Sequence, residues 1–70
     1  MAAFLLIQTN PGYADQLARF IAGLPGVESV AVTSGPYDVV VEVCDQADQQ
    51  AAVSAAVRSE PGLAHVWVCR

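Results

Sequence analysis

Seventy residues, 54% of them apolar and 14% charged, make one small folded domain with no room for a second core. Three arginines and no lysine stand against seven acids, a net charge of −4, which argues against direct binding to nucleic acid or an anionic membrane. A chain this short buries only about 60% of its unfolded surface, so a partner subunit is expected.

The first segment, Ala3 to Thr9, is an apolar run that predicts a strand. Asn10-Pro11 supplies a helix start, asparagine as cap and proline at the first helical position. Leu17, Phe20, Ile21 and Leu24 follow at helical spacing, and Pro25-Gly26 stops that helix. Val27 to Thr33 predicts a second strand, Ser34-Gly35-Pro36 a turn, and Tyr37 to Cys44 a third, valine-rich strand. Asp45 is expected to open a second helix, with Asp48 three residues on as an imperfect capping box. This alanine-rich helix carries Val53 and Val57 as its larger apolar residues and ends at Pro61-Gly62. Leu63 to Cys69 makes the fourth strand.

The order βαββαβ contains a repeat. Leu24-Pro25-Gly26-Val27 through Val32 aligns with Glu60-Pro61-Gly62-Leu63 through Val68, each copy closing a strand-helix-strand unit. Right-handed crossovers interleave the halves as a ferredoxin-like α+β domain, a four-stranded antiparallel sheet with both helices on one face. All of residues 1–70 form this single domain.

Strand alternation then assigns faces. Leu5, Ile7, Val30, Val32, Tyr37, Val39, Val41, Val43, Val66 and Val68 are expected toward the helices. Phe4, Leu6, Gln8, Ala31, Asp38, Val40, Glu42, Cys44, His65 and Trp67 are left on the bare face. A sheet face carrying Phe4, Leu6, Val40 and Trp67 is an interaction surface, most simply for the same face of a second subunit.

Chemistry-bearing residues are sparse. Cys44 and Cys69 have no CxxC spacing and read as two buried thiols in a reducing compartment. The N-terminal apolar stretch is too short for a signal peptide, and no run approaches the ~20 residues of a membrane helix. A cytoplasmic location is therefore expected. His65 has no obvious nucleophile or base for a partner, and the loop after the first strand, Gln8-Thr9-Asn10-Pro11, offers neither paired cysteines for metal carriage nor an arginine for phosphate. No catalytic residue, metal or cofactor is assigned.

One segment stands out: Thr33-Ser34-Gly35-Pro36-Tyr37-Asp38. A hairpin turn accounts for Gly35 and Pro36, but not for an acid at the head of a valine-filled strand. A carboxylate beside glycine-exposed backbone suits an ammonium group, with backbone N–H groups left for a carboxylate; these are the two ends of a free amino acid.

Gly35-Pro36-Tyr37-Asp38 followed by three valines resembles the Gly-x-Tyr-Asp signature of the effector-binding (RAM) domain of Lrp/AsnC feast/famine transcription regulators. Pro-Gly-Val before the second strand and Pro-Gly-Leu before the fourth fit as well, and the resemblance spans essentially the whole chain. It implies sheet-to-sheet homodimers that assemble further into rings, with small effectors, often amino acids, between dimers near this turn. On that basis Ser34, Gly35, Pro36, Tyr37 and Asp38 are the candidate ligand-binding residues, and Phe4, Leu6, Val40 and Trp67 the dimer interface.

Full-length members carry an N-terminal helix-turn-helix domain, whereas this chain opens with Met1 directly at the first strand. The expectation is a stand-alone, non-enzymatic sensing domain that enters mixed assemblies with a full-length regulator. Two rival readings are a small dimeric α+β barrel enzyme, monooxygenase-like, using His65 and Trp67, and a ligand-free oligomerisation module.

Overall fold

A computed structural model of the chain describes residues 2–69. Its elements are β1 (Ala3–Thr9), α1 (Ala14–Ala22), β2 (Val27–Val32), β3 (Val39–Val43), α2 (Ala47–Arg58) and β4 (Leu63–Cys69). The strands form one sheet in the order β2-β3-β1-β4, and each neighbouring pair is antiparallel. This is the ferredoxin-like arrangement expected from the βαββαβ order.

The core lies between sheet and helices. Leu5 and Ile7 from β1 and Val39, Val41 and Val43 from β3 meet Leu17, Ala18 and Ile21 of α1 and Val53 and Val57 of α2. These side chains are almost fully buried, each worth about 1.5–3 kcal/mol for the larger ones, so the two central strands anchor the domain.

The repeat appears as matched contacts. The Asn10 N–H donates to the Gly62 carbonyl at 2.7 Å, and the Cys44 N–H donates to the Gly26 carbonyl at 2.8 Å. Each Pro-Gly turn thus ties the end of a central strand to the start of an edge strand. Gly62, at φ +90°, lies under the Tyr13 ring, where an added Cβ would come within 2.3 Å of ring carbon.

Several local expectations are corrected. Helix α1 starts three residues later than Pro11, because Asn10-Pro11-Gly12-Tyr13 closes a turn of its own. Gly12 has φ +87° and the Tyr13 N–H donates to the Asn10 carbonyl at 3.2 Å, the geometry of a type II turn. Tyr13, not Asn10, is the N-cap. Helix α2 has Gln46 rather than Asp45 as its N-cap. The preceding strand end is held on both sides of Cys44, by Gly26 and by the buried Gln50, whose Nε2 donates to the Cys44 carbonyl at 2.8 Å.

Strand β3 begins at Val39, so the alternation does not extend to Tyr37, whose ring lies against Trp67 instead of the helices. Val32 and Val68 are 51% and 37% exposed. These repeat-equivalent residues lie at the ends of the edge strands furthest from the turns by which the preceding helices enter them. Phe20 is 37% exposed; Leu17, Ala18 and Ile21 form the buried stripe of α1. Cys69, on an edge strand, is exposed and Cys44 is half-buried, so neither thiol is buried as expected.

Candidate functional site

The turn between β2 and β3 is built from both strands it joins and from the end of β1. The Thr33 N–H donates to the Asp38 carbonyl at 2.8 Å, and the Thr33 hydroxyl donates to the Tyr37 carbonyl at 2.6 Å. These bonds close the six-residue loop. Gly35 at its tip has φ +120°, with nothing within 4 Å of where a Cβ would stand, so the backbone there is open to approach. Ser34, Gly35 and Pro36 are exposed; Tyr37 and Asp38 are half-buried.

Asp38 is held through its backbone and one carboxylate oxygen. Its N–H donates to the Ile7 carbonyl at 2.8 Å. Its Oδ2 accepts the Thr9 N–H at 2.7 Å and the Thr9 hydroxyl at 3.3 Å. The carboxylate that a sequence reading offers to an ammonium group therefore also stitches the loop to the end of β1. Gln8 adds a second stitch, its Nε2 donating to the Pro36 carbonyl at 2.6 Å. Sequence reasoning missed Gln8 and Thr9 as partners of the turn. The signal was available, because β1 and β3 are neighbours in this topology and Ile7 pairs with Val39.

The second candidate surface is the helix-free sheet face. Cross-strand register brings Leu6 opposite both Val40 and Trp67, and Phe4 opposite Glu42 and Cys69. Phe4 and Trp67 are each 43% exposed, while Leu6 and Val40 are half-buried. Trp67 stands at the centre of an aromatic cluster, with Tyr37 edge-on at 5.5 Å and the His65 ring tilted at 5.6 Å. Through Tyr37 the turn and the sheet face are in direct contact.

A groove of about 410 Å³ runs between α2 and β4, lined by Gln50, Ala51, Ser54, Ala55, Arg58 and Val68. A smaller one of about 100 Å³ lies by Leu24, Pro25 and Val53. Ser34, Gly35 and Pro36 are exposed, so a ligand at the turn would need a second wall. Among the described residues no group of three or more His, Cys, Asp or Glu side chains could hold a metal ion, and no helix is long and apolar enough to cross a membrane.

The fold is that of a small ferredoxin-like α+β domain with an exposed glycine turn and one sheet face bare of helices. The chain belongs to the Lrp/AsnC ligand binding domain family, whose sequence profile matches residues 2–68. No curated protein sequence matches it significantly. Among solved structures it is similar to TTHA0845 from Thermus thermophilus, at 29% identity and TM-score 0.87, covering 96% of this chain and 86% of that one. It is also similar to FFRP-DM1, at 25% identity and TM-score 0.83, covering 96% and 92% of the two chains. PF0864, a transcriptional regulatory protein of Pyrococcus furiosus and member of the AsnC family, shares the fold over 96% of this chain but 47% of its own, at 24% identity and TM-score 0.69.

Proposed function

We propose that the domain binds a small effector, an amino acid, at the Ser34–Asp38 turn, and that it works as a self-assembling, non-enzymatic sensor in the cytoplasm. The observation that carries this reading is the turn itself. One loop carries both the half-buried Asp38 and the exposed backbone of Gly35, within a family of ligand-binding domains. The effector's ammonium would lie against Asp38 and its carboxylate against backbone N–H groups of the loop. Because the tip of the turn is exposed, the missing wall would come from a neighbouring dimer.

In this reading Phe4, Leu6, Val40 and Trp67 close against the same residues of a second copy. A stable interface needs about 800 Å² from each partner, roughly one fifth of the protomer's 4064 Å², which a whole sheet face can supply. Dimers would associate further, and mixed assembly with a full-length Lrp/AsnC regulator would connect effector level to transcription without direct DNA contact by this domain.

A thermal-shift screen against the twenty amino acids tests the reading. A ligand at 100 times its Kd adds about 2.7 kcal/mol of apparent stability and should stand clear of the rest. Uniform melting across the panel would count against an amino-acid effector. Sedimentation of the same samples reads assembly, and a monomer at micromolar concentration would contradict the dimer.

A further inference from the structure

The groove between α2 and β4 lies apart from both the turn and the bare sheet face. Its volume of about 410 Å³ falls in the range of roughly 300–1,000 Å³ that small-molecule pockets occupy. Along α2 its wall is a polar row, Gln50, Ser54 and Arg58, four residues apart and so on one side of the helix, beside the alanines at 51 and 55. Val68 of β4, 37% exposed, lines the other side. Val53 and Val57 of α2 reach the core, and the shorter side chains beside them leave the gap unfilled.

Arg58 is the only charged residue lining this groove among those described. Its Nε donates to Ser54 Oγ at 3.3 Å, one helical turn back, and its two terminal nitrogens have no partner among the described residues. A cation in the last turn suits the helix dipole, as Arg19 does in α1, but the dipole accounts for the charge and not for its place on a groove. The internal repeat does not require it either. Aligning Pro25 with Pro61 puts Ala22 where the second half has Arg58.

We propose that the groove binds a small aliphatic carboxylate, its charged end on the terminal nitrogens of Arg58 and its chain against Ala51, Ala55 and Val68. A guanidinium presents two parallel N–H donors that match the two oxygens of a carboxylate. The chain would gain by covering alanine and valine surface that water now touches. No acid lines the groove, so the ammonium of a free amino acid would find no counter-charge there. The site therefore selects an anion without an amine, and it is independent of the effector reading of the turn.

Heteronuclear NMR titration of the whole chain with 3-methylbutanoate at neutral pH tests this. Acetate carries the charge without the chain, and 3-methylbutylammonium carries the chain with the opposite charge. The expected result is a saturable shift of the Ala51, Ser54, Ala55 and Val68 amides with 3-methylbutanoate, binding at least about tenfold weaker for acetate, and none for the ammonium. Arg58→Gln should weaken 3-methylbutanoate by about ten- to a hundredfold. Ala55→Leu, a substitution that helices tolerate, should fill the groove and abolish binding. Circular dichroism melts confirm that both variants fold, and Asp38→Asn should bind as the wild type does. Equal affinity for acetate would mean a surface cation attracting any anion, and would overturn the proposal. So would wild-type affinity in Arg58→Gln, or shifts confined to the turn. Shifts at the same amides that grow with protein concentration alone would seat a second copy in the groove, and would overturn it as well.

Discussion

Asp38 has one role in the structure and another in the proposed function, and substitution separates them. In Asp38→Asn the amide oxygen still accepts the Thr9 N–H that Oδ2 accepts now at 2.7 Å, but the bond loses its charge assistance. A charge-assisted bond contributes about 1.5–3 kcal/mol and a neutral one about 0.5–1.5, so stability should fall by about 1 kcal/mol. Asp38→Ala removes the acceptor and strands a half-buried N–H, which should cost about 1–3 kcal/mol. Urea denaturation of the two variants reads both numbers. Effector binding responds differently, because an ammonium group facing Asp38 loses its counter-charge in either variant. Affinity should then fall about ten- to a hundredfold in Asp38→Asn, far more than its small loss of stability implies. Calorimetric titration with the amino acid found by thermal shift, on samples matched for oligomer size, measures this. Wild-type affinity in Asp38→Asn would remove Asp38 from the effector site, and wild-type stability in Asp38→Ala would refute the stitch to Thr9.

Gly62→Ala should destabilise the fold by about 2–4 kcal/mol, since it combines a positive φ with a Cβ driven into the Tyr13 ring. Gly12→Ala, at a similar φ of +87° but in open space, should cost only the backbone part, about 1 kcal/mol, and equal melting midpoints for the two would refute the packing argument. Trp67→Ala should weaken the dimer by about 2–4 kcal/mol, measured by sedimentation, if the indole is an interface anchor; an unchanged dissociation constant would place the interface elsewhere. The domain should give no gel shift with duplex DNA at low micromolar concentration and physiological salt, because three arginines cannot supply the phosphate contacts that non-specific binding needs.

The elements with strong patterns were legible in the sequence. Ala3–Thr9 and Leu63–Cys69 come out with the expected bounds, and the alternation of Val39, Val41 and Val43 correctly places the core. Errors gather where local chemistry competes with itself. Asn10-Pro11 fits a helix start and a type II turn equally well, and Gly12 decides for the turn. Asp45 resembles a cap, but the bonds that hold Cys44 delay the helix. Strand parity carried the prediction for Tyr37 one step too far, past the point where the ladder starts at Val39. In the candidate turn, Gly35 and Asp38 stood out by position, a glycine turn followed by an acid at the head of a valine-filled strand. Gln8 and Thr9 did not, since 28 and 29 residues of sequence separate them from Pro36 and Asp38 and only the sheet order brings them together.

The pairing of Phe4 with Cys69 sets the two ends of the described chain side by side on neighbouring antiparallel strands. A short linker from Cys69 to Ala3 would turn β4 and β1 into a hairpin. Cutting the same ring at Gly35 would give the order β3-α2-β4-β1-α1-β2, which is once more strand-helix-strand-strand-helix-strand. The two halves would exchange places in sequence while every strand kept its neighbours. Such a rearranged chain should melt cooperatively with the same sheet signature in circular dichroism, whereas an unfolded product would mean that the β2–β3 loop is needed to bring the halves together. Because the cut falls at the tip of the loop proposed to hold the effector, a folded product that bound none would separate the architecture of the domain from the proposed binding.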